Sequence, residues 1–138
     1  MPESVLHQAL VGSIIAHIRS KYAGLEYVVA LHDLPGAIGS EKPPKIGAFR
    51  PDVYAIDAPL SRTIIGEAKT QVDLETDHSR KQFEAFLRFL RMRDNSVFIL
   101  AVPWQAKIRG CALLQLIQKE LEAWKVEIVV LDNIRGSK

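Results

Sequence analysis

Two β-prone runs with charges set inside them, residues 52–57 and 62–70, constrain this chain more than any other stretch. Asp52 opens the first and is followed by Val53-Tyr54-Ala55-Ile56. In the second, Ile64-Ile65-Gly66 leads into Glu67-Ala68-Lys69. Both runs read as strands buried on both faces, where a charge is unfavourable unless it is paired or bound to a cation. Side chains alternate along a strand, so Glu67 and Lys69 point one way and Ala68 the other. If residues 58–61 close a symmetric antiparallel hairpin with Asp57 opposite Arg62, Asp52 falls opposite Glu67. Such neighbours have Cβ atoms roughly 4.5–5.5 Å apart. Two carboxylates that close repel unless a proton or a cation lies between them. A slip of one residue would turn Asp52 to the other face, so the chemistry hangs on the register.

The remaining elements follow from periodicity. Leu6, Leu10, Ile14 and Ile18 recur at helical spacing, with Val5, Ala9 and Ile15 widening the stripe, and predict a helix over 4–21. Gly24 can end it. Residues 27–31 form a β-prone run, and 33–50, rich in Pro and Gly, read as a loop carrying Lys42, Lys45 and Arg50. A second helix is expected over 76–92 with Phe83, Phe86, Leu87 and Leu90 on one side. Asp94-Asn95 reads as a turn. Strands at 97–102 and 126–131, both expected to be buried on both sides, flank a helix over 105–124 that runs through Ile108, Ala112, Ile117, Leu121 and Trp124. The order αβββαβαβ predicts an α/β domain spanning residues 1–138, with a mixed five-stranded sheet flanked by helices.

Composition narrows the function classes. The chain has 138 residues, enough for one domain with a sizeable core, and is 48% hydrophobic and 25% charged. No apolar run approaches the length of a membrane span. The N-terminus lacks the basic-then-apolar pattern of a secretory signal. The single cysteine, Cys111, rules out an internal disulfide framework and fits a reducing cytoplasm, and it reads as a small buried side chain rather than a nucleophile. The four histidines show no zinc-binding spacing. A net charge of +2 permits a nucleic-acid partner without requiring one.

Asp52 and Glu67, completed by backbone carbonyl and water, make an oxygen donor set suited to Mg²⁺ or Mn²⁺. Such an ion lowers the pKa of water and stabilises charge on a phosphate oxygen. The Lys69 ammonium, two residues beyond Glu67, can orient the attacking water or neutralise charge developing on phosphorus. Phosphodiester hydrolysis needs that set of roles. The plainer alternative puts Asp52 at a strand edge and Glu67 and Lys69 on a solvated sheet face.

With Pro51-Asp52 and Glu67-Ala68-Lys69 in this element order, the chain resembles the PD-(D/E)xK nuclease superfamily, which includes type II restriction endonucleases, Holliday junction resolvases and virus-type replication-repair nucleases. The resemblance covers nearly the whole chain and implies a restriction endonuclease-like core. It implies metal binding by Asp52 and Glu67, water activation by Lys69 and an additional metal ligand in the Ala68 carbonyl. Several such nucleases carry Gln-x-x-x-Tyr on the helix after the ExK strand. Here Gln82 is present but Phe86 replaces the tyrosine, so Gln82 is a candidate to assist Lys69 or a phosphate, or a polar residue at a helix edge. The superfamily often places a Glu on its first helix; Glu3 is the acid available, and it also suits a helix dipole. His7 shares its face and is either a substitute ligand or a core-edge histidine.

Lys42, Lys45 and Arg50 are candidate phosphate contacts, which give affinity without sequence information. Arg80, Lys81, Arg88, Arg91 and Arg93 fit either such a surface or a solvated helix face. The expectation is an Mg²⁺- or Mn²⁺-dependent endonuclease acting on DNA, structure-selective or weakly sequence-specific, and a homodimer if both strands are cut. The alternative is a nuclease-like module that binds nucleic acid or protein without cleaving. No glycine-rich phosphate loop, GxSxG elbow or CxxC supports another enzyme class.

Overall fold

A computed structural model describes residues 5–22, 25–30, 42–57 and 61–133. Helix α1 (Val5–Lys21) precedes strands β1 (Leu25–Ala30), β2 (Val53–Asp57) and β3 (Arg62–Ala68). Helices α2 (Gln71–Leu74) and α3 (Asp77–Leu90) lead to β4 (Val97–Val102). A 3-10 turn (Trp104–Ala106) and α4 (Lys107–Glu120) lead to β5 (Glu127–Asp132). The strands lie side by side in chain order, with β1–β2 and β2–β3 antiparallel and β3–β4 and β4–β5 parallel. The α/β class and the mixed, helix-flanked sheet are as the sequence predicts. The four-residue α2 and the 3-10 turn are additions.

The pleat divides the core in two. Val53, Ala55, Ile64, Ala68, Val97, Ile99 and Ala101 face α1 and meet Leu10, Ile14, Ile15 and Ile18. Ile65, Phe98, Leu100 and Val102 face the other way, against Phe83, Phe86, Leu87 and Leu90 of α3 and Leu114 and Ile117 of α4. Each large apolar side chain so buried contributes about 1.5–3 kcal/mol. Thr76 caps α3, its hydroxyl accepting the Ser79 amide at 3.1 Å. Asn95, at φ 55°, makes the tight turn before β4 that its side chain tolerates.

Several sequence expectations are corrected by the packing. Val5, Leu6 and Ala9 lie on the exposed side of α1, and Val11 and Ile15 widen its buried stripe. Of the stripe expected over 105–124, Ala112 is exposed, as are Ile108 and Trp124, at 84% and 63%. Ile117 is buried as expected, the helix also buries Gly110 and Leu114, and it ends before Trp124. Strand β4 is buried throughout, but β5, which among the described residues lies at the edge of the sheet, is only partly covered. Cys111 is half-buried on α4.

Gly66 explains how α1 reaches the sheet. A Cβ placed there would lie 2.6 Å from Ile14 Cγ2 and 3.3 Å from Val53 Cβ, so α1 packs where β3 has no side chain. His7 sits two turns before Ile14 on the same helix face, and this approach carries it to the end of β2.

Candidate functional site

The β2–β3 register is the symmetric one: Asp57 pairs with Arg62, Ala55 with Ile64 and Val53 with Gly66. The next pair outward is Asp52 beside Glu67, at the end of the sheet where the chain enters β2 and leaves β3. There the strands are joined by side chains. The Asp52 amide donates to Glu67 Oε1 at 3.0 Å, and the Ala68 amide donates to Asp52 Oδ2 at 2.9 Å. Each carboxylate is thus fixed by the other strand's backbone, which sets both rotamers.

Three further side chains close the cluster. Lys69 Nζ lies 3.4 Å from Glu67 Oε2 and donates a hydrogen bond to Gln82 Oε1 on α3. The Lys69 amide donates to the Ala101 carbonyl at 3.0 Å, so β4 holds the backbone from which the lysine projects. His7 Nε2 stands 3.2 Å from Asp52 Oδ2. Asp52, Glu67, Lys69 and Gln82 are all buried, at 5%, 3%, 9% and 8% exposure, which removes the solvated-face reading of these charges. Burial is the main reason the Glu67 carboxyl is pushed up to about 8. The Asp52 charge adds to the rise, while Lys69 and the Asp52 amide oppose it.

The donor set fits a hard divalent cation. Two adjacent carboxylates lie in a buried site where burial, and then the neighbouring Asp52 charge, makes Glu67 resist ionisation. Among the described residues no three His, Cys, Asp or Glu side chains are grouped to hold a metal ion. Two carboxylates match the way Mg²⁺ is bound, since that ion keeps several waters. Asp52, Glu67 and the Ala68 carbonyl are the groups that would hold it.

The structure therefore brings together Asp52, Glu67, Lys69 and Gln82, and adds His7, which sequence reasoning left open between two roles. Glu3 lies outside the described residues. Lys42, Lys45 and Arg50 are exposed on the segment leading into β2, and Arg50 Nη1 clasps that segment by donating to the Pro43 carbonyl at 2.6 Å. Three of the basic residues on and just after α3 are engaged within the fold. Arg80 pairs with Glu84 at 3.2 Å and Glu120 at 2.8 Å, Arg91 donates to the Leu121 carbonyl, and Arg93 stacks 4.2 Å from the Phe89 ring centre. The signal that sequence reasoning passed over was Gly66, a glycine inside a β-run, which marks the close approach that delivers His7.

Comparison with known proteins returns no match to a protein-family model, to a curated protein or to a solved structure.

Proposed function

We propose that this chain is an Mg²⁺- or Mn²⁺-dependent endonuclease of the PD-(D/E)xK kind that hydrolyses DNA phosphodiester bonds, with the sheet and its flanking helices forming a restriction endonuclease-like core. The observation that supports this reading is the buried Asp52–Glu67 pair with the Lys69 ammonium 3.4 Å from Glu67. A fold keeps two carboxylates and an ammonium out of water at considerable cost unless a ligand uses them.

A cation bound there supplies Lewis acidity at a phosphate oxygen and lowers the pKa of water. The protein's own groups do the positioning. The Ala68 amide and His7 orient Asp52, and the Asp52 amide orients Glu67. Gln82 holds Lys69 Nζ through its amide oxygen, leaving the ammonium's other protons to direct water and to neutralise charge on the phosphate. Water attacks phosphorus, the P–O bond to the leaving sugar breaks, and no protein side chain becomes covalently linked. So small a core leaves little surface for reading bases, which favours structure-selective or weakly specific cutting. Cutting both strands calls for two sites and hence a homodimer. Among the described residues no helix is long and apolar enough to cross a membrane. The lone cysteine favours a reducing, cytoplasmic setting.

The test is cleavage of supercoiled, linear, single-stranded and four-way-junction DNA with Mg²⁺, Mn²⁺ or EDTA, comparing wild type with Glu67→Ala and Lys69→Ala. Metal-dependent cutting by wild type, reduced about 10²–10³-fold or more in each variant, is expected. Binding without cutting would instead make the chain a nucleic-acid-binding module.

A further inference from the structure

We infer that His78 of α3 holds a backbone phosphate of the DNA strand bound at the Asp52–Glu67–Lys69 cluster, beside the phosphate that Lys69 serves. The inference rests on the nuclease reading of that cluster and adds a substrate contact to it. Helix α3 carries His78 and Gln82 one turn apart, which puts their Cβ atoms about 5–6 Å from each other on one side of the helix. Gln82 Oε1 accepts from Lys69 Nζ, so the helical turn that ends at the lysine's partner begins at His78. Gln82 is buried, at 8% exposure, and His78 is exposed, so the imidazole stands at the solvent edge of the same site.

The segment that leads into β2 forms the other side of that edge. Residues 46–49 make a tight turn, the Ile46 amide donating to the Phe49 carbonyl at 2.6 Å and the Phe49 amide to the Ile46 carbonyl at 3.2 Å. Gly47, at φ 63°, lets the chain reverse there, and a Cβ on it would lie 3.7 Å from Ala85 Cβ of α3. The Phe49 ring stands edge-on to both His78 and Phe86, with centroids 5.4 Å and 6.5 Å away. His78 and Phe86 lie one turn to either side of Gln82, so Phe49 spans the turn that holds the partner of Lys69. Asp52 follows Phe49 by three residues. Contacts thus tie His78 to the segment that delivers Asp52 and, through α3, to the lysine.

The surrounding charges suit a phosphate. Lys81, three residues on from His78, is exposed, as are Lys45 and Arg50, before and after the turn. The acids of the neighbouring chain are engaged elsewhere. Glu75 pairs with Arg109, and with Asp77 it lines the cavity between α3 and α4 where Arg80 also lies. Asp73 Oδ2 accepts from the Thr70 hydroxyl at 3.0 Å. An imidazole carries an N–H in either tautomer and can donate it to a phosphate oxygen. Such a contact fixes the register of a strand without reading its sequence, in keeping with weakly specific cutting.

Substitution separates the donor from the ring. His78→Phe keeps a ring against Phe49 and has no donor, His78→Arg keeps donors and loses the ring, and His78→Ala loses both. Anisotropy of fluorescein-labelled single-stranded and duplex DNA is titrated in EDTA with wild type and each variant over a range of salt, beside thermal melting. Affinity is expected to be about tenfold weaker in His78→Ala and His78→Phe and to be kept or raised in His78→Arg. The slope of log affinity against log salt should steepen by about one in His78→Arg. The opposite ranking, with His78→Phe binding as wild type and His78→Arg weakened, overturns the contact and leaves the imidazole as packing for Phe49. So do equal affinities in all four proteins, or a wild type that binds neither DNA. Because the titration needs no cleavage, the expected ranking in a protein that never cuts would support the contact and overturn the nuclease reading alone. Metal-dependent cutting with equal affinities would do the reverse.

Discussion

Burial in this fold pushes the Glu67 carboxyl far above the ordinary carboxylate range. It ionises at about 8 in the folded protein against an ordinary value of 4.5. The folded state therefore holds a proton that the unfolded state releases between those two values, and stability must fall as pH rises through that window. Its contribution is fully present below about 4.5, is lost as pH passes 8, and is levelled by Glu67→Gln. Urea midpoints in EDTA at pH 5 to 9 should decline for wild type and stay flatter for Glu67→Gln; parallel curves would contradict this account of the site. Lys69 depends in turn on Gln82. Gln82→Ala should lower cleavage about 10–100-fold while shifting the melting temperature little, which steady-state rates and thermal scans can check together. Asp52, Glu67 and Lys69 were legible in the sequence because one hairpin register places them. The contact between His7 and Asp52 was not, because it depends on where a whole helix docks.

That docking belongs to the scale of elements. Helix α1 reaches the sheet through Gly66, where an added Cβ would meet Ile14 Cγ2 at 2.6 Å. Gly66→Ala should destabilise the protein by about 1–3 kcal/mol and weaken activity by displacing His7. Adding Ile14→Ala should recover part of that loss, giving a double variant less destabilised than the two single changes summed. Strict additivity in denaturant titrations would mean that the helix does not press on this glycine. Periodicity predicted α3 well, since Phe83, Phe86, Leu87 and Leu90 form one unambiguous stripe and all are buried. It read α4 only in part: Ile117 is buried as expected, but apolar residues occur on several sides, and the sheet takes Leu114 while leaving Ile108 exposed. The apolar run of β5 looked like a central strand, yet its composition could not reveal that it is an edge among the described strands.

At the scale of the whole molecule, one end of the sheet gathers the charges of Asp52, Glu67 and Lys69, with His7 of α1 and Gln82 of α3 beside them, where the core would otherwise exclude them. A divalent cation should therefore stabilise the fold as well as serve the chemistry. The increase in melting temperature on adding Mg²⁺ should grow from pH 6 to pH 9 as Glu67 gives up its proton, and vanish in Glu67→Gln. The most direct measurement is Mn²⁺ binding by isothermal titration calorimetry at pH 8, for wild type, Asp52→Asn and Glu67→Gln. One site per chain is expected in wild type, weakened about tenfold or more in each folded variant. Wild type that takes up no Mn²⁺, or variants that bind it equally well, would contradict the claim that Asp52 and Glu67 are a cation site.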